Sequence, residues 1–290
     1  MLYLVFCSLV WAFSYGLIKG NLTSLSPDFV ACMRMLVPSL LFLPWLRISS
    51  LPGKKDMGIF LLIGAVQYGI MYLCVIRSYA FLPAHHVVLF TAFTPLYVTL
   101  LSDLTEGSFR PFFVFTSLLA LVGVTILYWH QLPTLAACKG FLLVQLSDLC
   151  FAFGQVAYKR ARKHYPMLKD QSIYALLFLG GLAVTALSTT LLQGWSSYSV
   201  LTTKQLFLLL YLGAIASGLC FFLWNKAAVT TSIGSLAVIN NVKIPLGVLV
   251  SLLFFHETAH IPSLTFSLTL VIVALILAEK FSRQKQVLTS

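Results

Sequence analysis

Runs of roughly twenty apolar residues recur along the chain, and that is the length a helix needs to cross a bilayer core about 30 Å thick. They cover 2–18, 28–46, 57–76, 85–103, 112–129, 140–158, 172–193, 205–223, 233–255 and 262–279. In lipid, every backbone N–H and C=O must find its partner within the protein, so each run is expected to be helical. Pro27, Pro52, Pro83, Pro111, Pro133, Pro166 and Pro262 fall in or beside the breaks, where a missing N–H costs least. Pro38, Pro44, Pro95 and Pro245 fall inside runs. There the freed carbonyls must be satisfied by neighbouring helices or water. The fold class that follows is an all-α membrane protein of ten transmembrane helices.

Composition leaves no room for a soluble alternative. Apolar residues make up 59% of the chain and charged ones 9%, against roughly 45–50% and about 25% in ordinary soluble domains. Lipid must cover most of the outside. The net charge of +11 would suggest nucleic acid if the basic residues formed a patch. They sit instead in the short segments between apolar runs, so the expected partners are a lipid bilayer and a small-molecule metabolite, with no nucleic acid. The six cysteines (7, 32, 74, 138, 150 and 220) show neither CxxC nor Cys/His spacing, so no disulfide, metal or cofactor is expected. Only one residue precedes the first run, which has no basic leader and no small-residue cleavage pattern. That run is expected to be a retained helix.

Lysine and arginine set the orientation. If the amino terminus is inside, the inside segments hold thirteen of them: Arg47, Lys54, Lys55, Arg110, Lys159, Arg160, Arg162, Lys163, Lys169, Lys226, Lys280, Arg283 and Lys285. The outside segments hold four: Lys19, Arg77, Lys139 and Lys204. The bias predicts a bacterial inner-membrane protein with both termini cytoplasmic, the loop 159–170 being its strongest anchor.

Self-comparison reveals an internal repeat. WAFSYGLIK (11–19) matches FAFGQVAYK (151–159) at an offset of 140. GAVQYGIMY (64–72) matches GAIASGLCF (213–221) at 149, which pairs Gly64 with Gly213 and Gly69 with Gly218. TPLYVTLLSDLTE (94–106) matches IPLGVLVSLLFFHE (244–257) at 150, with one added residue before Glu257. Two five-helix halves are expected, 1–130 and 139–282, followed by a tail at 283–290. Five crossings is an odd number, so the second half enters the membrane inverted. Inverted repeats are the architecture of alternating access.

The chain resembles EamA-type members of the drug/metabolite transporter superfamily over essentially its whole length. The resemblance rests on Trp11-Ala12, Arg34, Arg77-Ser78-Tyr79-Ala80, Pro95 followed by Glu106, and Pro245 followed by Glu257. It implies that spans one, three, four, six, eight and nine line a central cavity. Spans two and seven would gate it, with five and ten peripheral.

Asp148 is the sharpest candidate, because a carboxylate deep in a span is costly unless paired or hydrated. Asp148, Phe151 and Gln155 share a helix face, and their repeat partners at offset 140 are Ser8, Trp11 and Tyr15. Lys243 is the matching cation, on one face with Asn240 and Gly247, opposite repeat partners Phe90, Phe93 and Tyr97. This division suggests charges from one half and an aromatic wall of Phe90 and Phe93 from the other, although Asp148 and Lys243 could instead pair directly. Arg34, near the start of its span, could snorkel, contact a carboxylate or gate. Gln67, Tyr68 and Tyr72, with Ser217, Phe221 and Trp224, are further cavity candidates. His85, His86, His256 and His260 lie at helix ends, where histidines are most often solvated, and are assigned no chemistry.

The function these features predict is a secondary transporter or exchanger of a small amino-acid-like zwitterion. One branch of the resembled family exchanges S-adenosylmethionine for S-adenosylhomocysteine, which makes that pair the first substrate expected. Export of an amino acid or amine, and a non-transporting scaffold or receptor, are the alternatives. An enzyme is not expected: Asp148 is the only acid deep in a span, GxGD is absent, and His256-Glu257-Thr258-Ala259-His260 is not a zinc HExxH motif. No ATP-binding GxxxxGK[ST] occurs either, so coupling would come from a gradient or a counter-substrate. Oligomeric state is left open.

Overall fold

The computed structural model describes residues 2–46, 53–107, 134–230 and 233–288, together with positions 119, 122, 123 and 126. Its elements are helices. α1 spans Leu2–Asn21, and α2 spans Pro27–Phe42 with Pro27 in the first turn, where its missing N–H would have no helical partner anyway. α3 (Lys54–Gly64) passes through a π-helical segment, Ala65–Ile70, into α4 (Met71–Ser78). α5 (Ala84–Phe90) passes through a 3-10 turn, Thr91–Phe93, into α6 (Thr94–Glu106). α7 is Leu135–His164 and α8 is Asp170–Leu191. α9 (Thr203–Tyr211) continues through a second π-helical segment, Leu212–Leu219, into α10 (Cys220–Thr230). α11 (Ile233–Phe254) and α12 (Ile261–Leu288) complete the described chain.

Among the described residues, seven helical stretches are long and apolar enough to cross a membrane, and Lys243–Phe254 and Ile261–Ala274 add shorter apolar helices. The predicted spans fall on these helices, except 112–129, of which only positions 119, 122, 123 and 126 are among the described residues. One boundary is corrected. The segment 159–170 is not a loop throughout, because α7 continues to His164. Basic side chains suit a helix carboxyl end, and Arg162 donates to the Tyr165 and Leu168 carbonyls and pairs with Asp170 at 3.0 Å.

Polar contacts between loops sort the helix ends into two sets, here called upper and lower. At the upper end Lys19 donates to the Tyr79 carbonyl, Ser26 N–H to Ser197, and Gln205 to the Asn21 carbonyl. Asp28 there takes Arg77 and Ser188 together. At the lower end Ser172 donates to the Trp45 carbonyl, Tyr165 to Asp56, and Arg160 to the Thr105 carbonyl. α1 therefore rises from the lower end and α2 descends from the upper end.

Two glycines let helices touch. A Cβ on Gly64 would lie 1.9 Å from the Leu177 carbonyl oxygen, and one on Gly180 would lie 2.0 Å from that of Leu61. α3 and α8 thus cross backbone to backbone, as small residues permit in membranes. A latch at the upper end ties the segment after α11 to α5: Glu257 accepts from the Ala84 and His85 N–H groups at 2.7 and 3.0 Å and contacts His85 Nδ1 at 2.6 Å. His85 is 2% exposed, so the expectation of a solvated histidine is corrected. The Glu257 carboxylate caps the first turn of α5, and that draws the adjacent ring inward.

Candidate functional site

A cavity with about 600 Å³ of free space, part of it open to solvent, lies in the upper half of the bundle. α1 contributes Trp11, Ser14, Tyr15 and Ile18, and α2 contributes Arg34. α4 supplies Met71, Tyr72 and Val75, with Tyr79 just beyond it. Thr91 and Thr94 come from the break between α5 and α6, and Ser147, Asp148 and Phe151 come from α7. Phe221 of α10 and Lys243 of α11 close the ring. Asp148 is the fourteenth residue of α7, which places it roughly 20 Å below the upper end of that helix at 1.5 Å per residue.

The floor is aromatic. Trp11 packs against Phe221, Trp224 and Phe151, with ring centroids 5.2, 5.0 and 6.3 Å apart. The π-helical turn Leu212–Leu219 fixes this floor, because its displaced Ala216 carbonyl accepts from Trp11 Nε1 at 2.8 Å. Beneath it lies a buried polar layer. The amides of Gln67 and Asn225 face each other at 3.4 Å, and Tyr68 links Asn225 to Tyr174. Gln67, Tyr68 and Trp224 are therefore buried below the cavity rather than in its wall, and Gln155 sits one turn below Phe151, also outside the wall.

Phe90 and Phe93 are a second correction. Both rings turn away from the cavity and pack edge-on against Phe141 at 5.1 and 6.2 Å. In a 3-10 turn, residues three apart eclipse each other. The turn Thr91–Phe93 therefore carries Thr91 and Thr94 to the cavity and the two phenylalanines to the back. The wall's aromatic rings come instead from Trp11, Tyr15, Tyr72, Tyr79, Phe151 and Phe221. Thr91, Thr94 and Tyr79 were missed in the sequence, where only the Pro95 break hinted at the register change. Asn240 lies in the backbone of α11, but its side chain is outside the described residues.

Arg34 does not snorkel. It is 3% exposed and donates through Nε to Ser217 at 3.2 Å and through Nη2 to the Tyr72 hydroxyl at 2.7 Å. Its Cζ lies 4.2 Å from the Tyr72 ring centroid. Both hydrogen-bond partners are neutral, and among the described residues Arg34 has no carboxylate partner. Lys243 Nζ lies 5.7 Å from the Trp11 ring centroid. Asp148 and Lys243 feel each other's charge, yet no nitrogen–oxygen contact within 4 Å joins them. The direct salt bridge left open by the sequence does not form here. Asp148 Oδ2 is buried without a hydrogen-bond partner, as is Thr94 Oγ1.

A bundle of apolar helices around a closed-bottom cavity, with charges buried at mid-depth, defines a multi-pass membrane transporter of small molecules. The EamA-like transporter family model matches residues 1–129 and again 138–279. The chain belongs to that family. It is 35% identical to the "Biotin transporter" of Salmonella typhimurium over 277 residues, 95% of this chain and 91% of that protein. The "Biotin transporter" of Escherichia coli K12 is 34% identical over the same shares. The "Probable biotin transporter" of Pseudomonas aeruginosa is 35% identical, over 95% of this chain and 96% of its own length. A solved crystal structure with 14% identity superposes with a TM-score of 0.68 over 97% of this chain and 96% of its own, a likeness of fold alone.

Proposed function

We propose that the chain transports biotin, or a closely similar ring-bearing monocarboxylate, across the inner membrane by alternating access between two inverted halves. The observation that carries the substrate class is the charge of the cavity: Arg34 and Lys243 face one acid, Asp148. One excess positive charge among low-dielectric walls favours a monoanion, because charge–charge energies grow as the dielectric falls. Arg34 is the carboxylate's partner, since its hydrogen-bond partners are neutral and Nη1 donates to no described residue. The rings of Trp11, Phe151 and Phe221 form a floor for a compact ring system. The relatives' names support the same ligand.

S-adenosylmethionine, the first substrate expected from the sequence, has two cationic groups against one carboxylate. Its net charge would add to the excess already in the wall, and the relatives' names lend it no support. Zwitterionic amino acids are net neutral and gain nothing from that excess. Two inverted halves are supported by the double match of the family model and by π-helical turns at corresponding positions, Ala65–Ile70 and Leu212–Leu219. With the lower end cytoplasmic, as the charge bias predicts, the cavity faces outward and the aromatic floor is the barrier to be opened.

Uptake of radiolabelled biotin into liposomes containing the purified chain tests this. Uptake should saturate, yield to unlabelled biotin, and resist excess S-adenosylmethionine. No biotin uptake, or equal competition by S-adenosylmethionine, would overturn the substrate.

A further inference from the structure

An aspartate and a lysine that share one membrane-buried wall and do not pair present a chemical puzzle. Each is expensive to bury, and pairing would offset the cost. Here Asp148 is 5% exposed and Lys243 4%, and each lies within the other's field. They nevertheless stay more than 4 Å apart, and Asp148 Oδ2 is left with no partner. Such a pair offers an acceptor beside a donor, separated by a gap.

Thr94 sharpens the picture. Threonine hydroxyls inside helices ordinarily bond back to the carbonyl four residues earlier, as Thr99 does to Pro95. For Thr94 that acceptor is the Phe90 carbonyl, which already accepts from Gln145 Nε2 at 3.3 Å. The Thr94 hydroxyl is therefore left buried in the cavity wall beside the Asp148 carboxylate, close enough to interact with it but with no hydrogen bond within 3.5 Å. Two polar atoms of one wall thus lie near each other without closing a hydrogen bond within 3.5 Å, and buried polar atoms without one are rare in folded proteins.

We infer that Asp148, Thr94 and Lys243 form a subsite for a neutral group bearing an N–H beside a C=O, and that this group is the cyclic urea of biotin. The inference rests on the biotin reading above. Asp148 Oδ2 accepts the urea N–H, Thr94 supplies a hydroxyl beside it, and Lys243 donates to the urea oxygen. The two opposite charges cancel, so the subsite suits an uncharged ligand head. Arg34 alone then answers the carboxylate at the other end of the molecule. The separation of Asp148 from Lys243 is the space into which the urea edge fits.

The test measures binding to the purified full-length chain by thermal shift and by competition against labelled biotin. Three carboxylic acids are compared: biotin, desthiobiotin (urea kept, sulfur absent) and lipoic acid (a five-membered cyclic disulfide, urea absent). In the unaltered protein desthiobiotin should bind within a few-fold of biotin, and lipoic acid at least about tenfold more weakly, the size expected when a buried site loses a charge-assisted hydrogen bond. Asp148→Asn and the near-isosteric Thr94→Val should each weaken biotin and desthiobiotin several-fold while changing lipoic acid by less than about twofold. Arg34→Gln should weaken all three alike. If Asp148→Asn and Thr94→Val weaken all three equally, or leave biotin unaffected, the subsite is overturned while the biotin reading stands. If the unaltered chain binds neither biotin nor desthiobiotin, the substrate reading falls and takes the subsite with it.

Discussion

At the scale of single residues, buried charge in this chain is arranged by its neighbours rather than by its own position along a helix. Arg34 lies at the middle of α2, and its guanidinium is held by Ser217 and Tyr72. Replacing it with lysine keeps the charge but loses the planar fork that can grip Ser217, Tyr72 and a carboxylate together. Arg34→Lys is expected to weaken biotin binding by about 1–2 kcal/mol, and Arg34→Gln by more, about 1.5–3 kcal/mol, the range for hydrogen bonds to charged groups. Calorimetric titration of the two variants checks the order, and equal affinity in Arg34→Gln would remove the residue from the site. A sequence reader finds Asp148, Lys243 and Arg34 because ionisable groups in apolar runs stand out. Thr94 is invisible by the same logic, since threonine is ordinary in membrane helices and only the occupied Phe90 carbonyl makes it unusual.

At the scale of elements, helix breaks and close crossings set the geometry. The 3-10 turn Thr91–Phe93 decides which face of the fourth span meets the cavity, and the π-helical turn Leu212–Leu219 frees the carbonyl that anchors Trp11. Neither register change can be read from apolar periodicity, because both faces of a membrane helix are apolar. The α3–α8 crossing depends on Gly64 and Gly180, so Gly64→Val should force the helices apart. Its cost is expected at about 1–3 kcal/mol, the range for overpacking, read as a lower melting temperature of the detergent-solubilised protein; an unchanged value would refute the close crossing. The Glu257 latch carries a pH dependence. Burial alone would raise its carboxyl, but the bonds from the His85 ring and from the Ala84 and His85 N–H groups outweigh that and hold it below its ordinary value. A depressed folded-state value means the ionised latch stabilises the fold above the unfolded-state value, and the contribution is lost as pH falls through the folded one. The stability gap between the natural chain and Glu257→Gln should therefore be full at neutral pH and shrink in acid. A gap that stays constant across that range would assign the latch to packing.

At the scale of the whole molecule, the charge bias between loops predicts that the lower end is cytoplasmic. A cysteine placed at Tyr165 in a background without the native cysteines should react with a membrane-impermeant reagent only after the membrane is opened. Labelling in intact cells would reverse the orientation and with it the direction in which the cavity faces. What the sequence determined by itself is the solvent and the class. Twenty-residue apolar runs admit only helices in lipid, and the EamA-type motifs mark a small-molecule transporter. The tertiary structure alone decided the composition of the cavity wall. Phe90 and Phe93 were expected in it and lie behind it, while Thr91, Thr94 and Tyr79 entered unannounced. The physical reason is that membership of a cavity depends on helix rotation and on local changes of helical pitch. These are fixed by hydrogen bonds between residues far apart in the chain, such as Trp11 to Ala216 and Gln145 to Phe90, and no local pattern in a uniformly apolar helix records them.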